Sequence, residues 1–96
     1  MSGYVLADVT TVKDPGLYQI YQALVPPSLR AFDGTYLARG DVTVLEGSWQ
    51  PRRVVIVRFE SVAQATTWWD SDQYRAARAM PRAATVTNLT VVAGQE

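Results

Sequence analysis

The chain contains neither histidine nor cysteine. There is thus no Ser-His-Asp or Cys-His pair, no thiolate nucleophile and no His-ligated haem. Zinc sites are normally built from the same two residues, which argues against a zinc enzyme. No disulfide can form, so there is no sign of an extracellular staple. Lysine occurs once, at Lys13, and nine cations balance nine acids to a net charge of zero. Nucleic acids and anionic membranes both call for an excess of Lys and Arg, so neither partner is expected. No stretch approaches the roughly 20 apolar residues that span a bilayer. Met1-Ser2-Gly3-Tyr4 carries no basic segment and begins no long apolar run, so no signal peptide is visible. The expected location is the cytoplasm.

Two further absences narrow the chemistry. Gly34, Gly40 and Gly47 are isolated turn or bulge glycines, so there is no Gly-rich phosphate loop. No carboxylates pair at metal-ligand spacing, and capping accounts for Asp70 and Asp72 better than a metal does. Neither a metal nor a cofactor is expected. Acid–base chemistry would fall to Asp, Glu, Tyr, Lys13 or the substrate itself.

What is present is the composition of one folded domain spanning residues 1–96, with 48% of residues apolar. A chain this short leaves much of its surface exposed, and a subunit partner would add stability. Residues 4–12 are rich in β-branched and aromatic types and read as a strand. Asp14-Pro15 starts a helix, with Asp as cap and Pro at the first helical position. Leu17, Ile20, Tyr21, Leu24 and Val25 give that helix one buried face. Pro26-Pro27 should kink it or end its first part, and Ser28 to Phe32 continue for another turn or two. Asp33-Gly34 is a turn.

Thr35 to Glu46 reads as a second strand, bent or bulged near Gly40-Asp41. Gly47 to Pro51 is a hairpin-like loop. Arg53 to Phe59 is a third strand whose centre, Val54 to Val57, is apolar without alternation, the pattern of burial on both faces. Ser61 and Gln64 match a capping box for a second helix through Trp68 and Trp69. Ser71-Asp72 caps a further short helix carrying Tyr74, Ala77 and Met80, ended near Pro81. Thr85 to Val92 is the last strand, and the tail Ala93 to Glu96 is expected to fray. Strand, helix, strand, strand, helix, strand is the ferredoxin-like order, with both helices on one face of a four-stranded antiparallel sheet. The other face needs a cover as well. A second copy of the chain, sheet against sheet, is the simplest one and would give a dimeric α+β barrel.

Several blocks resemble one known family, domain of unknown function 1330. These are Tyr18 with Tyr21 to Leu29, Gly34 to Gly40, Val44 to Arg53, and Ala65, Trp68 to Ser71 and Tyr74. The family belongs to the dimeric α+β barrel superfamily, so the resemblance implies the same architecture and a homodimer. Its role is not established, but the superfamily includes cofactor-independent monooxygenases, lactone isomerases, polyketide cyclases and haem-dependent enzymes. Haem use there normally rests on a His that this chain lacks. The chain departs from the family at Arg58, where an acid is usual, and at Glu60, where Pro is frequent. Any chemistry of that acid is lost here.

Parity places the candidate site. Val5, Ala7 and Val9 suit the helix side, so Asp8 points into the space between the sheets. Val54, Ile56 and Arg58 share that space, while Val55, Val57 and Phe59 lie under the helices. The functional reading is a pocket of Asp8, Arg39, Arg58 and Asn88, beside Tyr36, with walls from Trp49 and Trp69. A buried cation there would hold a phenolate, enolate or carboxylate, with Asp8 as acid or base and Arg39 as the charge stabiliser. The plainer reading is a buried Asp8–Arg58 ion pair between subunits. One of Trp68 and Trp69 should be core, and Trp49 should reach a pocket or the partner. Tyr18, Tyr21 and Tyr74 read as packing residues. Arg75, Arg78 and Arg82 form a solvated stripe balanced by Asp70 and Asp72, and Arg52-Arg53 is a loop pair of the same kind. A bulge near Gly40 would change the face that Arg39 takes.

Two functions follow. One is a cofactor-independent enzyme, an isomerase, cyclase or monooxygenase acting on a small organic molecule, aromatic or polyketide-like. The other is a non-catalytic dimer that binds a small ligand or serves as a structural subunit. The surplus of Arg over Lys, with abundant Ala and Val, points to a high-GC bacterium.

Overall fold

The computed structural model describes residues 1–80 and 84–96. Its elements are β1 (Gly3–Val12), α1 (Pro15–Ala31), β2 (Thr35–Gly40), β3 (Arg53–Phe59), α2 (Val62–Trp69), α3 (Asp72–Arg78) and β4 (Thr85–Ala93). The strands form one antiparallel sheet in the order β2-β3-β1-β4, with the helices on one face. This is the ferredoxin-like α+β architecture expected above. Among the described residues no helix is long and apolar enough to cross a membrane.

The side-chain caps read from the sequence are all made. The Asp14 carboxylate accepts from Leu17 N at 3.1 Å, Ser61 Oγ from Gln64 N at 2.9 Å and Ser71 Oγ from Tyr74 N at 3.2 Å. The capping box is one-sided, because the Gln64 side chain donates instead to the Phe32 carbonyl. The core lies between helices and sheet. Val5, Val57 and Phe59 meet Val25, Leu29, Ala65, Trp68, Tyr74 and Ala77 there. Trp68 is the core indole; its N–H donates to Ser28 Oγ at 3.0 Å, and its ring lies 5.3 Å from that of Phe59.

Four expectations are corrected. Helix α1 does not end at Pro26-Pro27 but continues to Ala31, over the turn that Ser28 to Phe32 was expected to add. Each proline removes one helix hydrogen bond, but the turn beyond them buries Ser28 and Leu29 and holds Trp68, which favours continuing the helix. The second strand ends at Gly40, because its partner β3 begins only at Arg53 and the last pair is Gly40↔Val54. The bulge falls between Tyr36 and Ala38, upstream of Gly40. The C-terminal tail is tied down: Gly94 N donates to Ser2 O at 2.7 Å, and Ser2 N donates to the Glu96 carboxylate at 3.0 Å. The expected stop near Pro81 and the stripe residue Arg82 lie outside the described residues.

Among the described residues one face of the sheet is covered only in part, by the loop that carries Trp49. On β3, Val57 and Phe59 are buried beneath the helices, whereas Val54 and Ile56 on the opposite face are only half-buried. Leu6, Val54 and Ile56, with Ala38, Arg39, Gly40 and Trp49, line a wide, shallow depression there.

Candidate functional site

The β2 bulge decides which residues meet beneath α1. Tyr36 is opposite Val57 and Arg39 opposite Val55, so both point toward the helices. Arg53, opposite Val9, points the same way. Tyr18, Tyr21, Gln22 and Val25 of α1 close over them, and Thr85 and Thr87 of β4 complete the far wall. The cavity, partly open to solvent, offers about 50 Å³ to the centre of a water-sized molecule. That is room for a few waters or for the polar head of a small ligand.

The cavity is cationic. The Arg39 guanidinium carbon stands 4.6 Å from the centroid of the Tyr36 ring, a cation–π arrangement on a side chain that is exposed at the rim of the cavity. Arg53 Nε is buried without a hydrogen-bond partner. Among the described residues neither Arg39 nor Arg53 forms an ion pair, although Asp41 stands near both at the strand edge. An unpaired buried donor on a guanidinium is costly unless something accepts from it. A water or the oxygen of an anionic ligand would do so.

Phenols supply the other polar groups. The Tyr21 and Tyr74 hydroxyls are hydrogen-bonded at 2.9 Å, and Tyr18 stacks on Tyr21 with ring centroids 6.2 Å apart. Burial pushes the Tyr21 phenol far above its ordinary value, and the adjacent Tyr74 phenol adds to the effect. Burial raises Tyr74 as well, with the hydrogen bond to Tyr21 and the Arg78 charge acting in the opposite direction. Both remain neutral near pH 7 and act as hydrogen-bond donors rather than bases.

The residues singled out in the sequence divide between three places. Tyr36 and Arg39 line the cavity under α1, and Arg39, on the edge strand, also borders the open-face depression. Asp8 is on the open face between its pairing partners Val54 and Asn88, and its Oδ2 accepts from Trp49 Nε1 at 3.0 Å. The register turns Arg39 toward the helices and Asp8 toward the open face, and no one pocket is lined by both, although Arg39 reaches the edge of the open-face depression. Arg58 also faces the open side, opposite Tyr4, with the Leu6–Ile56 pair between it and Asp8. Within one chain Asp8 and Arg58 form no ion pair; among the described residues Asp8 Oδ1 has no hydrogen-bond partner. Trp69 is exposed, with the Arg78 guanidinium 4.5 Å from its ring centroid, and borders a separate groove between α2 and β4. Arg53 was read as half of a solvated loop pair. Alternation with Val55, Val57 and Phe59, already assigned to the helix side, is the signal that would have placed it in the cavity.

The sequence profile of the family described as Domain of unknown function (DUF1330) matches residues 2–95. The chain belongs to that family. A protein of unknown function from Rhodopseudomonas palustris has a similar crystal structure, with a TM-score of 0.76 at 20% identity over 99% of this chain and 83% of that one. A dimeric ferredoxin-like protein of unknown function from Thermobifida fusca gives 0.68 at 15% identity, covering 98% and 92%. A candidate antibiotic biosynthesis monooxygenase from Nitrosomonas europaea gives 0.59 at 7% identity, covering 98% and 89%. At these identities the likeness to solved structures is one of fold. No curated protein matches the chain.

Proposed function

We propose that this DUF1330 chain is a cofactor-independent enzyme for a small, planar molecule that carries or develops an oxyanion, such as a phenol or enol. The observation that supports this reading is the pair of guanidiniums, Arg39 and Arg53, turned into one cavity with no carboxylate partner among the described residues. Two cations turned toward one partly open site favour the ionised form of a phenol or enol. The acidic proton leaves to water at the mouth, and the negative charge rests on the oxygen facing the guanidiniums. Such an anion is the species that isomerises, cyclises, or reacts with dioxygen as both oxidant and oxygen source. The aromatic walls of Tyr18 and Tyr36 suit a flat substrate. The fold shared with a candidate monooxygenase lends only the weak support of analogy.

The functional unit in this reading is a homodimer formed through the open faces of two sheets. Leu6, Val54 and Ile56 on that face are left half-covered by the single chain, and a second copy would cover them. The buried, unpartnered Asp8 Oδ1 would then find a donor across the interface, for which Arg58 of the other copy is a candidate.

Binding of 4-nitrophenolate, followed by calorimetry and by its absorption band, tests the site. The wild-type protein is expected to bind it, and Arg39→Ala and Arg53→Ala each to weaken binding about tenfold or more, as for loss of one charge-assisted hydrogen bond. Turnover is then sought by mass spectrometry with a panel of phenols and enols in air, with no cofactor added. Binding without turnover of any member would favour a ligand-binding dimer. No binding by the wild type would sink the site.

A further inference from the structure

Two phenols in one hydrogen bond leave one proton over, and the surroundings decide whose it is. Tyr21 and Tyr74 lie 2.9 Å apart, oxygen to oxygen, and neither hydroxyl has another partner among the described residues. Tyr74 is 1% exposed, with Trp68 4.2 Å from it ring to ring, and it does not line the cavity. If Tyr21 were the donor, the Tyr74 proton would turn toward the packing around Trp68, where no described residue accepts it, an outcome buried hydroxyls avoid. If Tyr74 is the donor, its hydroxyl is satisfied and the spare proton belongs to Tyr21. Tyr21 lines the cavity that holds Arg39 and Arg53.

We infer that Tyr21 donates a hydrogen bond to the ligand oxyanion and that Tyr74 is a positioning residue behind it, donating to Tyr21. This rests on the anion-binding reading of the cavity. The arrangement sets a chain in which Tyr74 donates to Tyr21 and Tyr21 donates to the ligand. A hydroxyl that accepts one hydrogen bond becomes a better donor of the next. The stacked Tyr18 ring holds Tyr21 from the α1 side, and the Trp68 ring holds Tyr74 from the core. Tyr21 would be a catalytic residue in the strict sense, since it touches the reacting oxygen. The guanidiniums supply charge and the phenol supplies direction, so the site selects a ligand with an oxygen lone pair aimed at α1.

The test reads the ionisation of the bound probe, not only its affinity. Bound 4-nitrophenol is titrated by its absorption band in wild-type protein and in the Tyr21→Phe, Tyr74→Phe and Arg39→Gln variants, each first checked for folding by circular dichroism. The wild type should lower the apparent pKa of the probe relative to free solution. Tyr21→Phe should lose about a third or more of that lowering, and Tyr74→Phe a smaller part of it, the order expected if one acts through the other. Replacing Tyr21 with 3-fluorotyrosine, which keeps the packing and sharpens the donor, should lower the probe pKa below the wild-type value. That variant keeps the test decisive if Tyr21→Phe fails to fold. An unchanged probe pKa with Tyr21→Phe or 3-fluorotyrosine, while Arg39→Gln raises it, would overturn the role of Tyr21 and leave the cationic site standing. If the wild-type protein does not bind the probe, both fall together.

Discussion

Tyr36 and Arg39 share one face of β2 although they are three residues apart, because Leu37 is an extra residue in the ladder between Tyr36↔Val57 and Ala38↔Ile56. In a regular strand, residues three apart face opposite sides. The bulge therefore explains how a tyrosine and an arginine at this spacing come to stack.

That geometry gives an unusual prediction for a deletion. Removing Leu37, which is 53% exposed, leaves Ala38 opposite Ile56 and Arg39 opposite Val55, with the ladder now regular. The variant is expected to fold, to change stability by about 1 kcal/mol or less as for other exposed positions, and to keep its affinity for 4-nitrophenolate. A folded deletion variant that no longer binds would place Arg39 on the other face.

The Ser28–Trp68 hydrogen bond should be among the more sensitive polar contacts of the core. Both residues are 2% exposed, and Ser28 Oγ in turn donates to the Val25 carbonyl at 2.7 Å. Ser28→Ala leaves the indole N–H without an acceptor and should cost about 1–3 kcal/mol. Trp68→Ala empties the centre of the core and should cost about 3–5 kcal/mol. Urea unfolding curves measure both, and equal small losses would contradict the packing described.

Much of this was legible in the sequence, and the misses have physical causes. The caps at Asp14, Ser61 and Ser71 and the element order depend on local chemistry, which a sequence shows directly. The continuity of α1 through Pro26-Pro27 depends on a tertiary gain, the burial of Leu29 and the docking of Trp68 on Ser28, which local rules do not see. The site was half legible. Alternation assigned Asp8 to the open face, but the face of Arg39 hinges on a one-residue bulge at Leu37, a position with no glycine to mark it. Arg53 was hidden by its neighbour Arg52, because a charged pair at a strand edge looks solvated until the register with Val9 is known.

Gly34 tests the α1–β2 turn. An added Cβ there would meet Phe59 Cε1 at 2.9 Å and Leu29 Cδ2 at 3.0 Å, both in the core. Asp33, just before it, already takes a positive φ of 58°, so the turn has little freedom to shift. Gly34→Ala should therefore destabilise by about 1–3 kcal/mol through overpacking, read as a lower urea midpoint with an unchanged slope. A neutral result would mean that the turn moves away from Phe59.

The open face makes a prediction about assembly. Ile56 lies opposite Leu6 and Ala38 at the middle of that face. Ile56→Asp places a charge there without disturbing the helix-side core. In a sheet-to-sheet dimer that charge is buried unpaired, at a cost of several kcal/mol, so the dimer dissociation constant should rise about 100-fold or more. Sedimentation equilibrium of the two proteins decides it. Equal masses for wild type and variant would refute the sheet-face dimer.

The carboxyl of Glu96 gives the stability of the fold an acid limb. Hydrogen bonds from Ser2 and from its own backbone lower this exposed carboxyl to about 2 from the ordinary 4.5, and the Tyr4 hydroxyl contributes as a weaker donor. A group held below its unfolded value binds protons more tightly in the unfolded chain, so acid favours unfolding. The contribution of Glu96 is thus complete above pH 4.5 and is lost as the pH falls through that value toward about 2. Glu96→Gln keeps the shape but cannot ionise. Its melting temperature should lie below that of the wild type at neutral pH and converge with it near pH 2, measured by calorimetry at a series of pH values. Parallel curves across that range would show that the tail leaves Ser2 in solution, with Gly94 as its last fixed residue.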